Sequence, residues 1–136
     1  MRVIDLITPN ETELRILMGL APDDAASTRE LAVELQKKFG ITVIVTRGEF
    51  GMTLVDVEGI SEFDSVPVQV VDTTGAGDAF TAGLAVSLAE GRDLPSAIKF
   101  AGCNGALACT KYGVIPSLAV RAEVDRLFSN HAPPRL

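Results

Sequence analysis

The strongest chemical signal in this chain is the run Asp72-Thr73-Thr74-Gly75-Ala76-Gly77-Asp78. A β-rich segment ending at Val71 leads into two glycines able to take tight left-handed turns, and the apolar stretch after them reads as a helix whose first N–H groups lack intrahelical partners. The amides of Gly75, Ala76, Gly77 and Asp78 can therefore converge on a phosphate or a developing oxyanion, helped by the helix dipole and without a lysine. At the mouth of such a hole, the Asp78 carboxylate can accept a proton from an attacking hydroxyl while the amides hold the phosphoryl group. The same residues also read as a plain helix start, with Asp78 as N-cap and Gly75 and Gly77 as turn residues. Rival motifs fit poorly. No Gly-Lys-Ser or Gly-Lys-Thr occurs, which removes the P-loop, and Phe80 stands where a dinucleotide fingerprint needs its third glycine. The single histidine, His131, sits beside prolines in what reads as a frayed tail, so a histidine-based triad or a multi-histidine zinc site is not available.

Chain-wide properties narrow the setting of this loop. The 136 residues are 47% hydrophobic and 22% charged, with a formal net charge of −6. That is one soluble domain, able to bury a core without metal or disulfide staples. Cys103 and Cys109 lie in one apolar, small-residue segment without a CxxC pair and read as buried reduced thiols, which suits a cytoplasmic location. The longest nearly apolar run, Ala79 to Ala89, is too short to span a bilayer, and no signal-peptide pattern opens the sequence. Acidic balance, no Trp and the lone Tyr112 argue against nucleic acid as a partner. Any phosphate must be handled locally.

Periodicity supplies the elements that position the loop. Val3 to Ile7 reads as a strand, and Asn10 caps a helix from Glu11 to about Leu17. Ser27 or Thr28 caps an amphipathic helix through Leu31, Leu35 and Phe39 that stops at Gly40. Ile41 to Thr46 is a β-branched buried strand; Gly48 and Gly51 flank a turn into a strand from Met52 to Asp56, Ile60 to Phe63 is a short edge strand, and Val66 to Val71 is another strand. The helix after Asp78 is apolar nearly all round and is expected to be buried on several sides; Asp93 caps the next, from Leu94 to about Thr110, and Ala119 to Phe128 forms a last one. Gly83, Gly102 and Gly105 fall inside helices and imply close helix packing or backbone approach by a ligand. Alternating strands and helices with no linker or repeat predict a single α/β domain over 1–136, built on a mostly parallel sheet.

The run from Asp72 to Leu84 resembles the second signature of the ribokinase-like, PfkB-type carbohydrate kinases, and two further segments agree in the family's order. Thr8-Pro9-Asn10-Glu11-Thr12-Glu13 resembles its Asn-x-x-Glu motif, and Val43 to Gly51 its nucleotide-contacting strand and turn. The resemblance implies a three-layer α/β/α fold, of which this chain is the carboxy-terminal half of a doubly wound sheet, closest in motif to the ribokinases. It implies Asp78 as the base in ATP-dependent phosphorylation of a sugar hydroxyl, with Gly75, Ala76 and Gly77 as the anion hole. Asn10 and Glu13 match a pair that organises Mg2+ largely through water, although they also read as a capping box. Thr46 and Gly48 match ATP-contacting positions; a strand end and a turn glycine would need the same residues. Asp72 and Thr74, with the loop from Cys109 through Gly113 to Ser117, resemble a monovalent-cation site, for which K+ is the expected ion. Gly102 stands where the family commonly has Asn or His beside the adenine, and Asn104 points to another face.

The family's amino-terminal half, which carries most of the sugar pocket and lid, has no counterpart here. The exposed sheet edge that this leaves predicts a homo-oligomer or docking of a complementing amino-terminal half. Ribose is the favoured acceptor, with fructose phosphate, a ketodeoxy sugar acid and a nucleoside as alternatives. A noncatalytic nucleotide-binding half-domain is the other reading.

Overall fold

The computed structural model describes residues 4–131. The chain divides into two compact units, Met1–Asp64 and Ser65–Leu136. Val3, at the start of the first expected strand, and Ala132 to Pro134 of the expected frayed tail lie outside the described residues.

In the first unit, local chemistry sets the helix boundaries. Helix α1 (Glu11–Leu17) starts at a full capping box: the Asn10 side chain accepts from the Glu13 amide, and the Glu13 carboxylate accepts from the Asn10 amide. Helix α2 (Thr28–Phe39) starts at Ser27, whose side chain accepts from the Glu30 amide, and ends at Gly40 in the left-handed conformation. The strands are β1 (Leu6–Ile7), β2 (Thr42–Thr46), β3 (Met52–Val55) and β4 (Ile60–Phe63), in the spatial order β1-β2-β3-β4. Strand β1 pairs parallel with β2, Leu6 opposite Thr42, and α2 provides the crossover. The other two pairs are antiparallel, because the turns after Thr46 and Val55 are far too short for a crossover helix. Thus the α/β class holds, and among the described residues the sheet is mixed and not mostly parallel, with β1–β2 as its parallel strand pair. The core of this unit joins Leu14 of α1 and Leu31, Ala32 and Leu35 of α2 to Val43, Val45 and Val55 of the sheet.

The second unit is helical among the described residues: α3 (Ala76–Ala89), α4 (Leu94–Ala108), the short α5 (Val114–Ser117) and α6 (Arg121–His131). Helix α4 begins at Asp93, whose carboxylate accepts from the Ser96 amide at 2.8 Å. Helices α3 and α4 pack closely because glycines remove side chains from the contact. A Cβ added at Gly83 would sit 3.2 Å from the Ala101 Cα, and one at Gly105 3.2 Å from the Ala76 carbonyl oxygen. Phe100 and Cys103 of α4 and Val124 of α6 are buried together, and the Phe100 and Phe128 rings meet edge to face at 5.7 Å.

Three expectations are corrected. Val66 to Val71 is not a strand: Pro67 has no amide to give a ladder, and the Val71 amide donates to the Cys109 carbonyl at 2.7 Å. Helix α3 is not buried all round; Ala79, Phe80, Gly83, Leu84 and Ser87 face inward, while Val86 and Leu88 are 46% and 38% exposed. His131 ends α6, its Nδ1 2.9 Å from the Leu127 carbonyl oxygen. Among the described residues no helix is long and apolar enough to cross a membrane.

Candidate functional site

The residues singled out by the sequence fall into two clusters, one in each unit.

In the second unit, the cluster is built around the start of α3. Gly75 is the N-cap, with φ 80 and ψ 0, and its carbonyl accepts from the Ala79 amide at 2.9 Å. Only a glycine takes this conformation without strain, and a Cβ there would meet a Val114 methyl at 3.2 Å. The Ala76 amide is already bonded to the Thr73 carbonyl at 3.2 Å. By contrast, among the described residues nothing accepts from the amides of Gly77 and Asp78, and both residues are exposed. Of the four amides that the sequence offers, that of Ala76 is thus spent. Asp78 is not the N-cap; it lies in the first helical turn, where the dipole favours a negative charge. Gly77 has no steric reason for being glycine: its φ is not positive, and a Cβ would meet nothing within 4 Å. That open space leaves room for a ligand to approach the backbone.

Asp72 organises the loop. Its Oδ1 accepts from the Thr74 amide at 2.9 Å and the Thr74 hydroxyl at 2.7 Å, and its Oδ2 accepts from the Gly113 amide at 3.2 Å. The Thr74 hydroxyl, then the Thr74 and Gly113 amides, hold the Asp72 carboxyl below its ordinary value. Asp72 therefore ties the glycine loop to the segment before α5. Cys109 and Ser117 join less directly. The Cys109 carbonyl already accepts from the amides of Val71 and Asp72, and the Ser117 hydroxyl donates to the Val114 carbonyl at 2.8 Å. Burial pushes the Cys109 thiol up, and Cys103 up to about 11, so neither is a ready nucleophile; both are free thiols, as expected.

Gly102 is half-buried on α4. Its neighbour Asn104, set aside on the sequence as facing elsewhere, donates from Nδ2 to the Ala79 carbonyl at 2.6 Å. It anchors the first turns of α3 to α4. Helical spacing gave its face but could not show what lay opposite.

In the first unit, Asn10, Glu13, Thr46 and Gly48 come together at one end of the sheet. Asn10 and Thr46 form an isolated parallel bridge, and the Thr46 amide donates to the Pro9 carbonyl at 3.0 Å. The capping box spends the Asn10 oxygen and Glu13 Oε2 on amides, leaving Glu13 Oε1 and the remaining lone pairs to face solvent. Among the described residues no three His, Cys, Asp or Glu side chains gather as a metal cluster. An oxygen pair of this kind fits a hydrated Mg2+ held through water and not an all-protein cage. Gly48, at φ 54, opens a short 3₁₀ turn (Gly48–Phe50) closed by the Arg47 amide on the Gly51 carbonyl at 2.8 Å. Arg47 was not marked by the sequence, since its ionic partners lie far along the chain.

Residues 1–121 match the pfkB family carbohydrate kinase profile. Ribokinase from Thermotoga maritima is 31% identical with a TM-score of 0.85, the match covering 95% of this chain and 43% of that one. Arabidopsis thaliana ribokinase, solved with ribose and ATP, is 35% identical with a TM-score of 0.82, covering 93% and 41%. The bifunctional protein HldE of Azorhizobium caulinodans is 38% identical over 132 residues, which are 95% of this chain and 28% of that protein. The chain thus spans less than half the length of each of these relatives. The motifs, the fold and the family match agree: this chain belongs to the pfkB family of carbohydrate kinases.

Proposed function

We propose that the chain is the ATP-handling and catalytic portion of a sugar kinase, acting as a single functional domain over 1–136. In this reading the open amides of Gly77 and Asp78, with Gly75 and Ala76 shaping the turn, hold a phosphoryl group. The Asp78 carboxylate takes the proton from the acceptor hydroxyl as it attacks the γ-phosphorus, and ADP leaves in line. Thr46 and Gly48 contact the nucleotide, and Gly102 lets it approach α4 without a side chain. Asn10 and Glu13 would hold Mg2+ through its water, and the ion, when bound, would supply positive charge that this acidic chain lacks. The observation that carries the reading is Gly77, a glycine that the fold does not need, at a helix start with unspent amides.

Ribose is the favoured acceptor, supported by the likeness to ribokinases. A monovalent cation, K+, is assigned to Asp72 and Thr74 with the Gly113 segment. Asp72 supplies its anion, whereas the Cys109 carbonyl and Ser117 hydroxyl are already engaged and are the weaker ligands of the expected set. The partner in the cytoplasm is a second copy of the chain or a complementing amino-terminal half. The test is transfer of γ-phosphate from ATP to ribose by the wild type and by Asp78→Asn. Removing the base should cut turnover about 10²–10⁴-fold while ATP binding persists. Equal turnover would remove Asp78 from the mechanism.

A further inference from the structure

We infer that Arg47 is a positioning residue for nucleotide binding: it holds the Thr46–Gly51 turn against the Asn10–Glu13 cap and cancels two carboxylates that would otherwise repel a triphosphate. This rests on the proposed ATP reading, but the positioning itself belongs to the chain alone.

Strand β2 ends at Thr46; Arg47 turns the chain at φ −127 and ψ 30, and the turn closes through the Phe50 amide on the Arg47 carbonyl at 3.0 Å. The side chain then reaches back across the unit. Its Nε lies 3.5 Å from Oε1 of Glu11, the first residue of α1, and its Nη1 lies 3.8 Å from Oε2 of Glu62 on β4. Nη1 also donates to the Thr53 hydroxyl at 3.5 Å. Both carboxylates are themselves held: the Thr28 hydroxyl donates to Glu11 Oε1 and the Thr53 hydroxyl to Glu62 Oε2, each at 2.7 Å. One guanidinium therefore links α1, β3 and β4 to the turn that bears Thr46 and Gly48.

Stability alone does not account for this arrangement. The Arg47 Nε is shut off from solvent and, among the described residues, makes no hydrogen bond; it faces Glu11 by charge and not by an aligned bond. An N–H shut off without an acceptor is a cost to folding, and ion pairs whose carboxylates are a third to a half exposed add little to offset it. What the arrangement does achieve is register and charge balance. Glu11 adjoins the Asn10 cap, and Asn10 bridges Thr46, so the Arg47–Glu11 pair spans the two loops assigned to Mg2+ and ATP. In a chain of net charge −6, leaving Glu11 and Glu62 uncompensated beside that loop would repel an anionic ligand.

Two measurements on the whole chain test this. In hydrogen–deuterium exchange without nucleotide, Arg47→Gln should speed exchange in residues 8–13 and 46–51 and leave the middle of α2 unchanged; unchanged exchange at both loops overturns the positioning role. In calorimetric titration with Mg-ATP, Arg47→Gln should weaken binding about tenfold at roughly 50 mM salt, a gap that narrows as salt screens Glu11 and Glu62. Arg47→Lys should restore most of the salt-dependent part, and Glu11→Gln should partly rescue Arg47→Gln. Equal affinity for wild type and Arg47→Gln, or a deficit independent of salt, overturns the charge-balancing role. If Arg47→Gln does not fold, Arg47→Lys decides the positioning role by exchange. If the wild type itself fails to bind Mg-ATP, the functional reading falls, while the exchange result still decides the role of Arg47.

Discussion

Gly75 and Gly77 lie two residues apart in one loop, and alanine at the two positions should shift stability in opposite directions. At Gly75, φ is 80, so a Cβ brings the left-handed penalty of about 1–2 kcal/mol. Contact with a Val114 methyl at 3.2 Å adds only a few tenths, roughly, because that side chain can turn aside. At Gly77 the backbone is helical and a Cβ meets nothing within 4 Å, so alanine should gain up to about 1 kcal/mol of helix propensity, less the reduction usual in a first turn. The two variants should therefore differ by about 1.5–3 kcal/mol in urea unfolding followed by circular dichroism. Binding should sort them differently. Gly77→Ala, though at least as stable as wild type, should weaken Mg-ATP in calorimetry, since its methyl enters the space a phosphate needs. Gly77→Ala destabilising the chain as much as Gly75→Ala, or binding Mg-ATP as tightly as wild type, would show that the space at Gly77 is not kept for a phosphate.

Gly83→Ala should lower stability by about 1 kcal/mol, because close contact with the Ala101 backbone and Asn104 outweighs the propensity gain; an unchanged or raised melting temperature would contradict this. Burial raises the Cys103 thiol to about 11 from 9.0. A raised value in the fold means its contribution is complete below the unfolded value and lost as pH climbs through the folded one. Stability should therefore fall by roughly 2–3 kcal/mol between pH 9 and 11, and Cys103→Ala should flatten that slope; an equal slope in the variant argues against it. Asp72 shifts the other way: its depressed carboxyl keeps the Thr74 and Gly113 contacts at neutral pH and loses them only as pH falls through a folded value below 3.8. A Gly113 amide titration with a midpoint at or above 3.8 would contradict the clamp. If K+ is bound at Asp72, phosphotransfer should drop when K+ is replaced by a large organic cation, and equal rates would exclude the site.

What the sequence revealed follows the range of the interactions involved. The caps at Asn10, Ser27, Gly40 and Asp93 act within about one helical turn, so their residue types alone placed α1, α2 and α4. The loop around Gly75 was legible for the same reason. Which amides stay open was not: that depends on the Thr73 carbonyl taking the Ala76 amide. Val66 to Val71 has strand composition, but its partner is the distant Cys109 carbonyl, and no periodicity announces that. The apolar run through Val86 and Leu88 measured composition and not facing, since Gly83 and Leu84 already fill the contact with α4. Nothing local in the sequence marks Asn104 or Arg47, because the Ala79 carbonyl, Glu11 and Glu62 lie far from them along the chain. In the Asn10–Glu13 pair, a cap and a metal-orienting role need the same oxygens, so folding and binding leave one signature.

If the open amides at the start of α3 hold the phosphates of a nucleoside triphosphate, as proposed, the chain binds ATP. The most direct test is calorimetric titration of the purified 136-residue chain with ATP in the presence and absence of Mg2+. Saturable, Mg2+-dependent binding at about micromolar concentrations is the expected result. A chain shown by circular dichroism to be folded, yet giving no heat with Mg-ATP up to millimolar concentrations, would contradict it.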